Sequence, residues 1–353
     1  MSKPISLGIA GLGRAGWGMQ CQELASRQDY FTIVAGCDTA RDRRERFASK
    51  YPAARVYSKI EDMIADPNVE LVSVATRSPD HFAHASMALK AGKHVLVEKP
   101  MCIDYEQARK LQTIAARSKG RLFVRHNRRW EPGFNHIREI IASGILGNVF
   151  QISLARVGYA RRDDWQTIVG CGGGQLLNWG PHIVDHALQF LESPVKSMWS
   201  ELRRVACAGD AEDHLRIILT GQNGRTVDLE ISGGCAIGKP EYFVLGTRGA
   251  LTSSGNSITM RYLDPKVRLL RRKANPRNPG DTFGTPETLP WIETTIPVKP
   301  GDMSEIWDDL YRALRLGKEF RVSLQDAVNV MKVISAAKKG TPFEYKSGRP
   351  ARG

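Results

Sequence analysis

The stretch that most constrains this chain is its first twenty residues. Residues 5–10 form an apolar run of strand length, and Gly11-Leu12-Gly13-Arg14-Ala15-Gly16 follows at once, opening a segment with helical patterning to about Arg27. Gly11 permits a tight turn out of the strand, Gly13 lacks the Cβ that would block a pyrophosphate, and Gly16 lets the helix pack close to the strand. The helix start offers free N–H groups and the positive end of its dipole to phosphate oxygens. Glycines at this spacing are weak evidence alone. Here a strand precedes them, a helix follows, and a second apolar run, residues 31–37, ends in Asp38, where a carboxylate meets ribose hydroxyls. The segment reads as a dinucleotide-binding βαβ unit.

From Ile5 to about Val124 strand-like runs alternate with helical patterns, the signature of right-handed βαβ units and a parallel sheet covered on both faces. Strands are expected at residues 5–10, 32–38, 55–57, 71–75, 94–98 and 122–124. Residues 81–91 carry a helical stripe of Phe82, Ala85, Ala88 and Leu89, closed by Gly92. Near Arg125 the pattern changes. A basic crossover, Arg125-His126-Asn127-Arg128-Arg129-Trp130-Glu131-Pro132, and a helix over 134–143 lead to strand candidates at 148–156, 195–206, 213–220, 225–232, 241–246, 250–253 and 257–262. Their alternation predicts one half-exposed, mainly antiparallel sheet. Helices return at 303–316 and 323–339, with core stripes at Ile306, Leu310, Leu314 and at Val330, Val333, Ile334. The expected fold is α/β, with a dinucleotide-binding domain over residues 1–124 and a second α/β domain with a large open sheet over 125–353.

The formal charge of +14, from 51 Lys+Arg against 37 Asp+Glu, suits attraction of anionic cofactors and metabolites as well as nucleic acid. The densest basic run, residues 261–277, has few aromatics and belongs to no nucleic-acid module, so it reads as a solvated loop or hairpin tip. Six cysteines, at 21, 37, 102, 171, 207 and 235, contain no CxxC pair, which predicts reduced thiols and no metal site. No apolar run approaches a membrane span, and the first strand begins after four residues, so a cytoplasmic protein without membrane or nucleic-acid partners is expected.

Ligands of open α/β sheets sit beyond the carboxyl ends of the strands. The fourth strand runs into Thr76-Arg77-Ser78-Pro79-Asp80-His81 and the fifth into Glu98-Lys99-Pro100. Pro100 biases Lys99 toward extended geometry, which holds its ammonium at a strand end; a surface lysine paired with Glu98 is the bland alternative. In the second half Gly172-Gly173-Gly174 leads through Asn178, Trp179, Gly180 and Pro181 to His182-Ile183-Val184-Asp185. Pro181 suits a first helical position, which puts His182 in a first turn, where the dipole disfavours the imidazolium. Asp185, one turn on, is placed to hold the ring, in catalysis or as the partner of a structural histidine.

These motifs together resemble the glucose-fructose oxidoreductase, inositol dehydrogenase and MocA family, in order and spacing over nearly the whole chain. The resemblance implies a nicotinamide-binding Rossmann domain, and a second domain whose open sheet often mediates dimers or tetramers. It also implies that the residues at Lys99 and His182 act on a sugar or polyol hydroxyl during hydride transfer. Cofactor contacts are expected from Gly11, Gly13, Arg14, Ala15, Gly16, Asp38, Thr76, Arg77, His81, Glu98 and Lys99, with NAD as cofactor and NADP the alternative. Substrate contacts are expected from Asn178, Asp185, Arg128 and Trp179. Many members carry Asp four residues before the histidine, where this chain has Asn178; an amide orients substrate but relays no proton, which leaves the acid–base work to Lys99 and His182. Arg77 stands where a proline or small residue often follows the fourth strand. The leading expectation is an NAD(P)-dependent dehydrogenase or reductase of a sugar, polyol or sugar derivative. A glycosidase using transient sugar oxidation and a non-catalytic nucleotide-binding regulator are the alternatives.

Overall fold

The computed structural model describes residues 3–274, 276 and 287–345. Strand β1 (Ile5–Ala10), buried at five of its six positions, is central to the first sheet. The helical stretch after the glycine loop, α1, begins as a π-helix at Gly16–Gln20 and continues as Cys21–Glu23 and a 3-10 turn at Leu24–Ser26. Its start is wide because the N–H groups of Gly18 and Gln20 reach back five residues, to Gly13 and Ala15. There follow β2 (Phe31–Cys37), α2 (Arg41–Lys50), β3 (Arg55–Tyr57), α3 (Ile60–Ala65), β4 (Leu71–Val74), α4 (His81–Lys90), β5 (His94–Val97), α5 (Tyr105–Arg117) and β6 (Leu122–Val124). The strands pair in parallel in the order β3-β2-β1-β4-β5-β6. That order reverses between β1 and β4, so the crevice for a dinucleotide opens at the glycine loop.

The crossover leads through α6 (Pro132–Ala142) to β7 (Val149–Val157), then α7 (Gln175–Asn178), α8 (Gly180–Leu191), β8 (Val195–Arg203), β9 (His214–Gly221), β10 (Thr226–Ser232), β11 (Tyr242–Gly246), β12 (Gly249–Ser254) and β13 (Ser257–Leu263). An eighth strand, β14 (Trp291–Pro297), joins the edge and was not anticipated; all seven of its residues pair with β13 yet only two are even partly buried. The order is β14-β13-β12-β11-β7-β10-β9-β8, with β7 and β10 parallel and the other pairs antiparallel. The inner face, with Ile152, Leu154, Ile217, Leu229 and Val244, is buried with Ile183, Val184 and Ala187 of α8. Of the basic run, Arg261 lies on β13 and Lys266 to Lys273 in exposed coil; Arg277 lies outside the described residues.

The chain ends with α9 (Ile306–Arg315) and α10 (Leu324–Lys338), and both return to the first sheet's side. Ile306, Trp307 and Leu310 of α9 share a core with Ile5, Leu7 and Phe31, and Arg315 pairs with Glu70 at 2.5 Å. The boundary expected at residues 124 and 125 therefore separates the two sheets, while the C-terminal helices of the second segment pack across it. Among the described residues no helix is long and apolar enough to cross a membrane.

Candidate active site

The glycine loop is shaped by close approach. Gly11 has φ +92°, and a Cβ there would lie 2.4 Å from the Ala75 carbonyl; one on Gly16 would lie 2.0 Å from the Gly11 carbonyl. At Gly13 a Cβ would meet only the Arg43 guanidinium, at 3.5 Å, so the loop face beside Arg14 and Ala15 is open to a phosphate. Asp38 stands at the end of β2 and accepts N–H bonds from Leu12 at 2.8 Å and Ala40 at 2.9 Å. It also accepts from Arg43 at 3.3 Å, a basic neighbour that one turn of α2 brings beside the carboxylate. These groups fit a nicotinamide dinucleotide: a bare loop for pyrophosphate and a carboxylate for the ribose.

Two expected cofactor contacts are turned elsewhere. The buried His81 ring lies between two strand-end loops, 2.7 Å from the Pro100 carbonyl and 3.0 Å from that of Thr76, with its one N–H to give to either. The Glu98 carboxylate points into the interior, where Gln20 donates to it at 2.9 Å and Arg125 at 3.1 Å. Burial pushes its proton affinity up, but Arg125 and Lys99 outweigh this and hold the carboxyl below its usual range. Arg125 also bonds Glu23 at 2.5 Å, and Glu23 accepts from Trp307 at 2.6 Å. This network fastens α1, β5 and α9 beneath the loop. Thr76 bonds His84 at 3.0 Å through its hydroxyl, and Arg77 reaches across to the second segment, with its guanidinium 5.7 Å from the Trp165 ring centre.

Lys99 follows Glu98 beyond the end of β5, and its Nζ donates to the backbone carbonyl of Asn178 at 2.9 Å. That bond joins the end of β5 to the last residue of α7, two positions before α8 begins. Burial depresses the ammonium to about 8; Glu98 opposes the shift, while Arg14, Arg128 and Arg125 reinforce it. His182 lies in the first turn of α8, 6% exposed, with its Nδ1 buried and unpaired among the described residues. Burial, then Lys99 and Arg128, hold its imidazole neutral.

Asp185 does not hold the His182 ring. Although one turn separates them, the carboxylate receives both Nε and Nη2 of Arg129, at 2.5 and 2.7 Å, and is 1% exposed. A two-pronged, charge-assisted contact outcompetes an imidazole for the same oxygens, and it removes Asp185 from the substrate side. Asn178, Trp179 and Arg128 do converge near His182. The Asn178 side-chain oxygen accepts from Gln166 at 3.2 Å, and its amide N–H groups have no hydrogen-bond partner among the described residues. Arg128 stacks 4.5 Å from the Trp179 ring, which meets His182 edge-on at 6.2 Å.

Residues 5–126 match the model of the oxidoreductase family with NAD-binding Rossmann fold, and residues 134–252 match that of the GFO/IDH/MocA C-terminal domain. The chain belongs to the GFO/IDH/MocA oxidoreductase family. It is 29% identical over 347 residues to the uncharacterized oxidoreductase YdgJ of Escherichia coli (strain K12), covering 95% of each chain. To scyllo-inositol 2-dehydrogenase (NADP(+)) IolW of Bacillus subtilis (strain 168) it is 27% identical over 308 residues, covering 84% of this chain and 83% of that one. The solved structure of the putative oxidoreductase yvaA from Bacillus subtilis superposes with a TM-score of 0.82 at 21% identity, over 97% of each chain, and shows the same fold.

The enzyme's glycine triplet has a structural partner that sequence reasoning missed. Gly174 has φ +107°, and a Cβ there would lie 2.3 Å from Glu212. Glu212 accepts from the Leu176 N–H at 3.0 Å and pairs with Lys338 at 3.2 Å, both side chains being buried. The loop that delivers Asn178 and His182 is thus seated on a buried ion pair. The triplet itself was the signal, since adjacent glycines mark a place where something presses on the backbone.

Proposed function

We propose that this enzyme interconverts a secondary hydroxyl and a carbonyl on a sugar, polyol or sugar derivative, with Lys99 and His182 handling the hydroxyl proton. The observation that carries this reading is the 2.9 Å bond from Lys99 to the Asn178 carbonyl, which brings the cofactor domain's strand end against α7, the short helix leading into the His182 helix. The bound nicotinamide supplies a hydride acceptor or donor. Lys99, with its affinity lowered to about 8, exchanges a proton near neutrality. His182, kept neutral, accepts the proton itself or bonds the hydroxyl while Lys99 takes it. The relative named scyllo-inositol 2-dehydrogenase supports a cyclic polyol or similar ring. Incubation with NAD and with NADP over a panel of sugars, inositols and their acids, followed by the absorbance of reduced nicotinamide, tests the assignment; no turnover of any member by a correctly folded, cofactor-binding preparation rejects it.

NAD is the preferred cofactor in this reading, because the Asp38 carboxylate suits a ribose diol and repels a 2′-phosphate. Asp38→Ser removes that repulsion and frees Arg43, so the ratio of NADP to NAD affinity in calorimetric titration should rise at least about tenfold. Parent enzyme that already binds NADP more tightly refutes the preference.

The outer face of the second sheet fits burial against another copy of the chain. Register places Phe243, Ser153, Asp228, Ile218 and Trp199 in one row across five strands, and Phe243 and Trp199 are 41% and 51% exposed. Light scattering should therefore return a multiple of the 39.2 kDa chain mass; the monomer mass at micromolar concentration overturns this.

A further inference from the structure

The carboxylates around the site are already committed to cations. Glu98 binds Arg125, Asp185 binds Arg129, and Glu131 is shared between Arg128 and Arg156. The charged groups that bear most on His182 are Lys99 and Arg128, both positive, and Asn178 adds no charge. A neutral polyol does nothing to offset this excess.

Arg128 is held in place from both ends. Its backbone carbonyl accepts from His186 Nε2 at 2.8 Å, and His186 Nδ1 accepts from the Tyr242 hydroxyl at 3.2 Å. The Tyr242 oxygen accepts in turn from Arg156 at 3.3 Å, and the same Arg156 nitrogen donates to Glu131 at 2.7 Å. Glu131 then accepts from Arg128 Nη1 at 2.8 Å, closing the ring of bonds. Its donor sequence is consistent throughout, which fixes His186 as the neutral ring protonated on Nε2. His186 is fully buried, Tyr242 nearly so, and Phe134 stacks on the imidazole at 3.9 Å.

The ring occupies Nη1 of Arg128, and Trp179 covers one guanidinium face. The remaining edge, Nε with Nη2, has no partner among the described residues. It is the edge with which the adjacent Arg129 grips Asp185 at 2.5 and 2.7 Å. A rigid guanidinium edge matches a carboxylate with two parallel hydrogen bonds. Holding a partly exposed arginine this firmly lowers the entropy lost on binding an anion.

We propose that Arg128 recognises an oxyanion on the substrate, a carboxylate by the shape of the free edge, so that the enzyme's substrate is an acidic polyol such as a uronic or aldonic acid. This rests on the dehydrogenase reading and narrows its substrate class. The test compares kcat/KM for a series of sugar acids, their neutral parent sugars and the corresponding sugar phosphates, in the parent enzyme, Arg128→Gln and Arg128→Lys. Calorimetric titration of the same compounds into the enzyme–NADH complex runs in parallel. The parent should favour the acid over its neutral parent. Arg128→Gln should lower that acid-to-neutral ratio by about ten- to a hundredfold, and Arg128→Lys, which keeps the charge but not the fork, should restore part of it. A parent without acid preference, or an unchanged ratio as all substrates decline together in Arg128→Gln, overturns the proposal. Preference for the phosphate overturns the carboxylate assignment. If nothing is turned over but acids bind and Arg128→Gln weakens them at least tenfold, the anion site stands and the dehydrogenase reading fails; acids that do not bind overturn the anion site.

Discussion

Lys99→Met will bind NAD with unchanged affinity and turn over the enzyme's best substrate at least about a hundredfold more slowly, the scale of a lost general acid–base group. Methionine keeps most of the stem's volume, so packing at the end of β5 survives while the amine disappears. The amine's only bond among the described residues is to the Asn178 backbone carbonyl, so its removal breaks no ion pair, and the buried Glu98 keeps Arg125 at 3.1 Å. The pH dependence carries the sharper signature. A lysine that accepts a proton must first be deprotonated, so alcohol oxidation by the parent enzyme rises as pH rises through about 8 and is lost below it. The positive ring of the oxidised cofactor shifts that limb lower still. Lys99→Met should lack this limb, whereas His182→Asn should be slow but retain it, since the imidazole is already neutral there. Stopped-flow or steady-state kcat across pH reads both. A Lys99→Met enzyme within a few-fold of the parent, still titrating near 8, would remove Lys99 from the chemistry.

The features legible in the sequence are those written in short-range pattern. The glycine loop, the strand–helix alternation and the two strand-end motifs each lie within about ten residues, where periodicity and turn chemistry act. Lys99 meets the Asn178 backbone, and Trp179 lies between Arg128 and His182. The misplaced residues are those whose partner is remote. Asp185 is taken by Arg129, 56 positions earlier, and Glu98 by Arg125, 27 positions later; nothing local to either carboxylate announces the arginine. The stripe on α9 was visible, but its destination on the first sheet was not. Strand β14 was missed because its mostly exposed side chains leave little burial period to read.

The same remoteness governs the second large effect, in Lys338→Met. Removing one partner of a buried ion pair strands the other, and costs about 3–5 kcal/mol, a large part of a typical folding free energy of about 5–15 kcal/mol. Here the stranded group is Glu212, whose Oε2 is already unpaired and whose Oε1 would keep only the Leu176 N–H. Burial raises the Glu212 carboxyl above its ordinary value, with Lys338 opposing, so loss of Lys338 raises it further. An acid with a raised folded value contributes its stability at pH below the unfolded value, about 4.3, and loses it as pH rises through the folded value. The variant's deficit should therefore be smaller at about pH 4, below the unfolded value, than at about pH 7. Adding Glu212→Gln removes the stranded charge, so the double variant should recover most of the loss at neutral pH. Urea unfolding of the three proteins at both pH values reads this directly. The glycine triplet rests on Glu212, so NAD should still bind near the glycine loop at reduced stability while kcat falls, because Asn178 and His182 lose their seat. A Lys338→Met protein within about 1 kcal/mol of the parent at neutral pH would show that Glu212 is protonated in the parent, and that the loop is held by hydrogen bonds without an ion pair.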